Sequence, residues 1–236
     1  MDVTAPGTQE NAPSMAPPSR QPPATPRGVR TRAALISAAR TVFERDGYLD
    51  TRLADITKEA RCATGSFYTY FANKEEIFAA VLEQAQEDMM HPGMGRVSNA
   101  DDPYAVLEAS NRAYLEAYRR NAKLMALLEQ VSHVDQEFSK FRMRRADAFI
   151  RRNARGIADL QARGIADADI DPLLASRALS GMVSRLAYSV FTPGEGETAN
   201  SEPVEFETLV STVTRLWANA LRFTDQRCLP SGSVQV

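Results

Sequence analysis

Residues 52–74 read RLADITKEARCATGSFYTYFANK, and no other part of the chain predicts its local fold as specifically. The first half has the apolar spacing of one helix face, at Leu53, Ile56 and Ala60. A tight turn follows at residues 61–63, and a second, very short helix is expected from Thr64 to Phe71. Two helices joined by a turn of about three residues can place the second helix in the major groove of DNA. We therefore predict a helix-turn-helix unit.

The short second helix should have a buried side and an accessible side. Phe67 and Phe71 are four residues apart, so both should pack into the neighbouring helices. The accessible side carries small or hydroxyl-bearing residues, namely Thr64, Gly65, Ser66, Tyr68 and Thr69. Gly65 and Ser66 are small enough to allow close approach to base edges. The side chains expected to contact phosphates are those of Ser66, Tyr68, Tyr70 and Lys74.

Helical periodicity continues on both sides of this pair, and no segment has the pattern of a strand. The apolar positions Leu35, Ile36, Ala39, Val42 and Phe43 predict a first helix that Gly47 terminates. Ile77 to Ala85 predict a fourth helix. Later helices are expected near residues 103–118, 124–131, 135–163, 172–192 and 206–221. We predict an all-α chain.

Composition divides the chain further. Residues 1–27 contain seven of the 13 prolines and almost no large apolar side chains, so we expect a disordered tail there and another at 228–236. Residues 28–78 would form the helix-turn-helix domain with the start of a linking helix, and 79–227 a second helical domain. The basic residues Arg20, Arg27, Arg30 and Arg32 lead into the first helix, where they could follow phosphates or simply be solvated.

Charge and hydropathy limit the possible environments. The net charge of −2 hides a gradient, because residues 27–78 carry nine Lys/Arg against seven Asp/Glu. A mildly basic N-terminal part on an acidic body is compatible with DNA binding through one end. No apolar run approaches the roughly 18 residues of a membrane span, and no signal peptide is evident. Cys62 and Cys228 are isolated, which fits a reducing cytoplasm.

The pattern within residues 30–80 resembles the TetR family of bacterial transcriptional regulators. The matching positions are Gly47-Tyr48, Thr51, Ile56, Ala60, the run from Gly65 to Phe71, and Lys74-Glu75-Glu76. The resemblance implies a three-helix DNA-binding domain, a linking fourth helix, and a helical C-terminal domain that dimerises and usually binds a small effector. By position it implies that Thr51 and Arg52 lie near phosphates, that Thr64, Gly65 and Ser66 face the groove, and that Tyr68, Tyr70 and Lys74 contact phosphates.

Two positions depart from the family pattern. Arg61 stands at the turn position that glycine usually holds, so it must adopt a backbone conformation unfavourable for a side chain or shift the turn. Ala63 stands where a capping serine is usual, so we expect that Thr64 could cap the recognition helix instead. A capping Thr64 would be less free to contact a base.

The C-terminal half predicts a dimer interface and a ligand cavity. The last two helices, with a regular apolar stripe that includes Trp217 and small residues that include Gly181, are expected to pair with a second copy. An apolar cavity with a few hydroxyls should be lined by Tyr114, Tyr118, Leu127, Phe138, Phe149 and Met182. Six arginines crowd the long helix (142, 144, 145, 151, 152 and 155). They spread around its circumference, which favours a solvated or ion-paired face over an anion site.

Catalytic patterns are missing from the sequence. The two histidines have no partnering cysteine motif, and there is no phosphate-binding loop or metal-ligand spacing. Asp167, Asp169 and Asp171 lack the glycine and terminal glutamate of a calcium loop. We therefore expect no enzyme activity, no metal and no cofactor.

The leading hypothesis is a homodimeric repressor of transcription. It would bind a near-palindromic operator in double-stranded DNA and be released by a small, largely apolar effector. An alternative keeps DNA binding but drops the ligand, so that the C-terminal domain serves dimerisation or a protein partner. A small α-helical enzyme is the third hypothesis.

Overall fold

The computed structural model describes residues 25–91, 102–192 and 204–223. Within these ranges the chain forms helices and no strand, which confirms the all-α prediction. The helices are α1 (Pro26–Asp50), α2 (Leu53–Glu59), α3 (Thr64–Tyr70), α4 (Lys74–Met90), α5 (Pro103–Arg120), α6 (Ala122–Ser132), α7 (Gln136–Ala162), α8 (Pro172–Phe191) and α9 (Phe206–Ala220). The tails predicted to be disordered fall mostly outside the described residues.

The first helix begins earlier than the sequence predicts. Thr25 caps it, because its hydroxyl accepts a hydrogen bond from the Gly28 N–H at 3.1 Å, and Pro26 occupies the first turn. Residues 26 and 27 therefore belong to α1, with Thr25 as its cap, and not to the predicted tail. The predicted end is confirmed at Gly47, whose φ of +80° interrupts the helical backbone before a last short turn to Asp50.

The N-terminal helices pack around an aromatic core. Helix α1 contacts α2 and α4, and Phe43, Phe67 and Phe78 are fully buried between them. This core continues into the second half of the chain, because the Phe138 ring of α7 lies 5.2 Å from the Phe78 ring. The C-terminal helices pack as α5 against α9, α7 against α8, and α6 against α7.

Helix α4 belongs to both halves. Its first residues contact the end of α1, and its last turn, at Met89 and Met90, reaches the arginines of α7. Asn73 caps it by accepting from the Glu76 N–H at 2.9 Å. A boundary between the two predicted domains would thus fall inside a continuous helix.

None of the helices described is long and apolar enough to cross a membrane. In the same part of the chain, no group of three or more His, Cys, Asp or Glu side chains could hold a metal ion.

Candidate nucleic-acid interface and ligand cavity

The turn between α2 and α3 has the geometry that its sequence predicts. Arg61 has φ +50°, the left-handed conformation that glycine adopts without cost. Its N–H donates to the Lys58 carbonyl at 3.1 Å, and the Cys62 N–H donates to the Thr57 carbonyl at 3.0 Å. These two bonds form a Schellman motif that satisfies the last carbonyls of α2. The arginine takes the strained conformation, at a cost of about 1 kcal/mol.

The start of α3 differs from the prediction. Ala63 is the capping residue, with an extended backbone and no side-chain bond, and Thr64 is already the first residue of the helix. The hypothesis that Thr64 caps α3 is therefore wrong, because the capping side chain must come from the residue before the helix. Thr64 is exposed, and its hydroxyl has no hydrogen-bond partner among the residues described.

The outward surface of α3 is small and open. A Cβ atom built on Gly65 would meet nothing within 4 Å, so no packing inside the chain requires a glycine there. A glycine in a helix costs roughly 0.5–1 kcal/mol relative to alanine. Tyr68 is 46% exposed, while Ser66 and Tyr70 are half-buried. The opposite side holds Phe67 and Phe71, which are buried as the spacing predicts.

Lys74 makes contacts that the sequence did not predict. Its ammonium group donates to the carbonyls of Tyr48, Leu49 and Thr51 at 2.9, 3.2 and 3.2 Å, and lies 4.6 Å from the centre of the Tyr48 ring. All three protons are used at the end of α1, where a cation is favoured by the helix dipole. In this geometry Lys74 is not free to pair with a phosphate, and we correct the predicted role to that of a clamp between α1 and α4.

The two residues before α2 that were predicted to lie near phosphates, Thr51 and Arg52, differ from each other. The Thr51 side chain is 2% exposed and its hydroxyl donates to the Gly47 carbonyl, so it stabilises the end of α1 and cannot reach a phosphate. Arg52 is exposed at the start of α2 and has no ion pair within the described ranges. Arg32 of α1 lies 5.2 Å from the centre of the Phe71 ring, which brings basic residues of α1 beside the end of α3.

A cavity of about 980 Å³ lies among the C-terminal helices. Tyr114, Tyr118 and Phe149 line it, as predicted. Leu127 and Met182 do not, because α6 and α8 turn their neighbours Leu128 and Val183 towards the cavity instead.

Phe138 is a further correction to the predicted wall. It lies at the beginning of α7, where its ring contacts the rings of Phe78 and Tyr48. It therefore connects the two halves of the chain and is not part of the cavity.

The cavity wall carries polar groups that the sequence did not identify as ligand contacts. Arg145 and Arg152 line it, together with Ser184 and the indole of Trp217. The Trp217 N–H is buried without a partner among the described residues. Burial raises the pKa of the Tyr114 hydroxyl. The positive charge of Arg145, a hydrogen bond with Ser184 and the positive charge of Arg152 each act in the opposite direction and lower this pKa. The wall is thus rich in hydrogen-bond donors.

Known proteins resemble the chain in the helix-turn-helix region and in fold. Residues 35–81 match the sequence model of the family described as bacterial regulatory proteins, tetR family. The transcriptional regulator HbdR of Aromatoleum sp. (strain CIB) is 33% identical over 104 residues, which is 39% of this chain and 45% of that protein. The uncharacterised regulator YfiR of Bacillus subtilis is 26% identical over 152 residues, or 61% of this chain and 70% of that one.

The fold is shared over a larger part of the chain. A TetR-family transcriptional regulator from Mesorhizobium loti superposes with a TM-score of 0.68 at 19% identity, covering 83% of this chain and 98% of that one. The chain is thus similar to bacterial regulatory proteins of the tetR family in its helix-turn-helix region, and its fold is similar to that of a TetR-family transcriptional regulator.

Proposed function

We propose that this chain is a homodimeric repressor that binds an operator through α3 and is released from it by a small molecule in the C-terminal cavity. The observation that carries the proposal is the outward face of α3. It exposes Thr64, Gly65 and Tyr68, and the space over Gly65 is open. A helix that keeps a glycine without an internal need is suited to close contact with another molecule.

The DNA-binding role is supported by the arrangement around α3. The buried rings of Phe67 and Phe71 fix the helix on its domain, and Arg52 and Arg61 are exposed beside it. Positive side chains at the edges of a recognition helix can contact phosphates, while the small residues at its centre can approach base edges.

The dimer is supported by the outer faces of the last two helices. Leu173 and Leu174 of α8 and Leu216 of α9 are 43%, 66% and 44% exposed. Large apolar side chains that are exposed on the last two helices are typical of a surface that a second subunit covers. A two-fold dimer would place its recognition helices on half-sites about 34 Å apart, or a multiple of that distance.

A ligand-responsive regulator is favoured over one without a ligand by the cavity. Its volume of about 980 Å³ and its mixture of apolar and polar walls are those of a small-molecule site. A ligand that binds one of two dimer geometries more tightly shifts the population, and the operator affinity falls if that geometry spaces the α3 helices wrongly.

The proposal is tested by a band-shift assay with the DNA upstream of the gene, combined with sedimentation of the free protein. We expect a dimer and a specific shift that weakens as salt is raised. Arg52→Gln should lower the affinity several-fold and reduce the salt slope by about one, since one phosphate contact is lost. Arg155→Gln, on the exposed face of α7, is the matched control and should leave both unchanged.

The outcomes separate the candidate functions. If no specific shift is seen at any salt concentration, the proposed DNA-binding role is wrong. A specific shift that no small molecule reverses would favour the regulator without a ligand. A monomer that still shifts the DNA would contradict the dimer.

A further inference from the structure

The arginines of α7 fall into two groups. Arg142 pairs with Glu129 at 2.9 Å, and Arg151 pairs with Asp147 at 2.6 Å, as expected for an ion-paired surface. Arg145 and Arg152 are half-buried, line the cavity, and have no carboxylate within 4 Å in the part of the chain that the structure describes. The sequence prediction of a solvated or paired face therefore fails for these two side chains.

These two arginines form one cluster with aromatic residues. Arg145, Phe149 and Arg152 are four and three residues apart, so they share one face of α7. The two guanidinium carbons lie 5.5 and 5.3 Å from the centre of the Phe149 ring. The Tyr114 ring is 5.6 Å from the same ring, and its hydroxyl is influenced by both positive charges. Both charges thus lie beside the Phe149 ring in the cavity wall.

The present partners of the two guanidinium groups are weak or incomplete. Arg145 donates from Nη2 to the sulfur of Met89 at 3.0 Å, and its buried Nε has no partner within the described ranges. Arg152 donates from Nη1 to the Met90 carbonyl at 2.6 Å. Burial lowers the pKa of Arg152, because removal from water disfavours the charged form. A partly buried cation without a counterion is costly for the fold.

The remaining wall contains charged side chains, among them the paired Arg142 and Glu129, and also a large apolar part. Met125, Leu128, Ile157 and Val183 are buried and line the same cavity. A ligand that fills the apolar part and uses the free donors of Arg145 should therefore combine an apolar body with one group that accepts several hydrogen bonds and carries negative charge. A carboxylate meets this need, because its two oxygens match the planar donor geometry of arginine.

We propose that the cavity binds an organic carboxylate, with its carboxylate held by Arg145 and Arg152 and its apolar body enclosed by the remaining wall. This inference rests on the proposed function and specifies the chemical class of the effector. The bound carboxylate takes over donors that now contact Met89 and Met90, the last two residues of α4. Ligand binding therefore acts directly on the helix that leads to the DNA-binding domain.

The test uses the full chain without DNA and two matched pairs of probes in calorimetric titrations. One pair is octanoate and octanol, and the other is phenylbutyrate and phenylbutanol. Each pair shares an apolar body and differs in the charge at one end. Both carboxylates should bind at least about tenfold more tightly than their alcohols, since a charged hydrogen bond in a partly buried site contributes more than a neutral one.

Neighbouring arginines provide matched controls. Arg145→Met and Arg152→Met should each remove most of the preference for the carboxylate while leaving the weak affinity for the alcohol. Arg144→Met and Arg151→Met change exposed residues one position away and should retain the preference. Thermal melting of each variant without ligand shows whether it is folded, and the unchanged alcohol affinity shows that the cavity is intact.

Three results would overturn the inference: no binding of either carboxylate to the wild-type chain, equal binding of acid and alcohol, or equal losses in Arg144→Met and Arg145→Met. None of them affects the band shift. Loss of the operator shift with intact carboxylate binding would instead reject the proposed DNA-binding role and keep the anion site.

Discussion

The two ends of α4 both contact cations, but the cations are satisfied very differently. At the first end, the Lys74 ammonium has three carbonyl acceptors and an aromatic ring. At the last turn, the Arg145 guanidinium meets a thioether sulfur and leaves its Nε without a partner among the described residues. The first cation is fully used by the fold, whereas the second is not.

This difference separates a structural charge from a functional one. A cation whose donors are all used stabilises the folded chain and has no capacity for a further partner. A half-buried cation with donors left over reduces stability, and a chain retains it when a ligand can use those donors. Lys74 therefore serves the fold, whereas Arg145 is available to a ligand in the cavity.

The largest expected effect comes from removing the satisfied cation. Lys74→Met should lower the free energy of unfolding by about 2 kcal/mol, because three carbonyls at the end of α1 lose a charged donor. Urea unfolding measures this change, and Lys140→Met, at an exposed residue paired with Glu137, is the control. Operator affinity should fall as the domain loosens, but its dependence on salt should stay that of the wild type.

The salt dependence of operator binding can show that the structural role of Lys74 is wrong. If Lys74→Met leaves the unfolding free energy unchanged and reduces the salt slope by about one, the ammonium leaves the end of α1 and contacts a phosphate. Lys74 would then be a functional cation, and the contrast between the two ends of α4 would disappear.

The second prediction concerns the outward surface of α3. Gly65→Ala should raise the free energy of unfolding by up to about 1 kcal/mol, because alanine is the better helix former and a Cβ meets no atom of the chain. Operator affinity should nevertheless fall by about tenfold, a loss of about 1.4 kcal/mol, since the methyl group occupies the surface proposed to approach the bases.

Gly156→Ala is the matched control for this change. Gly156 is also a helical glycine with open space at its Cβ position, but it lies in α7. Because Gly156 also lines the C-terminal cavity, the comparison is made without ligand, and the variant should then give a similar gain in stability with no change in DNA binding. If Gly65→Ala stabilises the chain and binds the operator normally, α3 does not make the close contact we propose.

The smallest expected effect is a gain in stability, whereas Lys74→Met should cause a loss. Arg145→Met should raise the free energy of unfolding of the ligand-free chain by about 1 kcal/mol, because a half-buried charge is replaced by an apolar side chain of similar length. Arg144→Met should leave it unchanged. A clear loss of stability in Arg145→Met alone, measured by the same urea titration, would make Arg145 a structural cation as well.

Much of the DNA-binding end could be predicted from sequence, because its signals are local. The helix pair and the burial of Phe67 and Phe71 follow from spacing within about ten residues, and the left-handed Arg61 is one of two outcomes that the resemblance to the TetR family implied. Local reasoning failed where the partner is distant or where one residue shifts the register. Ala63 and not Thr64 caps α3, and the acceptors of Lys74 lie more than 20 residues earlier in the chain.

The cavity was predicted less completely, because tertiary packing decides which helix face turns inward. Phe138 packs on the N-terminal core, and neighbours of Leu127 and Met182 line the wall in their place. The two cavity arginines did leave a signal. They lie on the same helical stripe as Phe149, at positions where a core-facing helix normally carries apolar residues. Most of the other arginines of the helix lie off this stripe.

Helix α4 also has a mechanical consequence. Its 17 residues make a rod about 25 Å long, so a sideways step of about 1 Å at Met90 turns the rod by about 2°. The clamp at Lys74 and the contact between the tilted rings of Tyr48 and Phe78 attach the other end to α1, so the whole helix-turn-helix unit must turn with it. In a two-fold dimer the two helix-turn-helix units would turn in opposite senses. The distance between them would therefore change by twice the displacement of one unit.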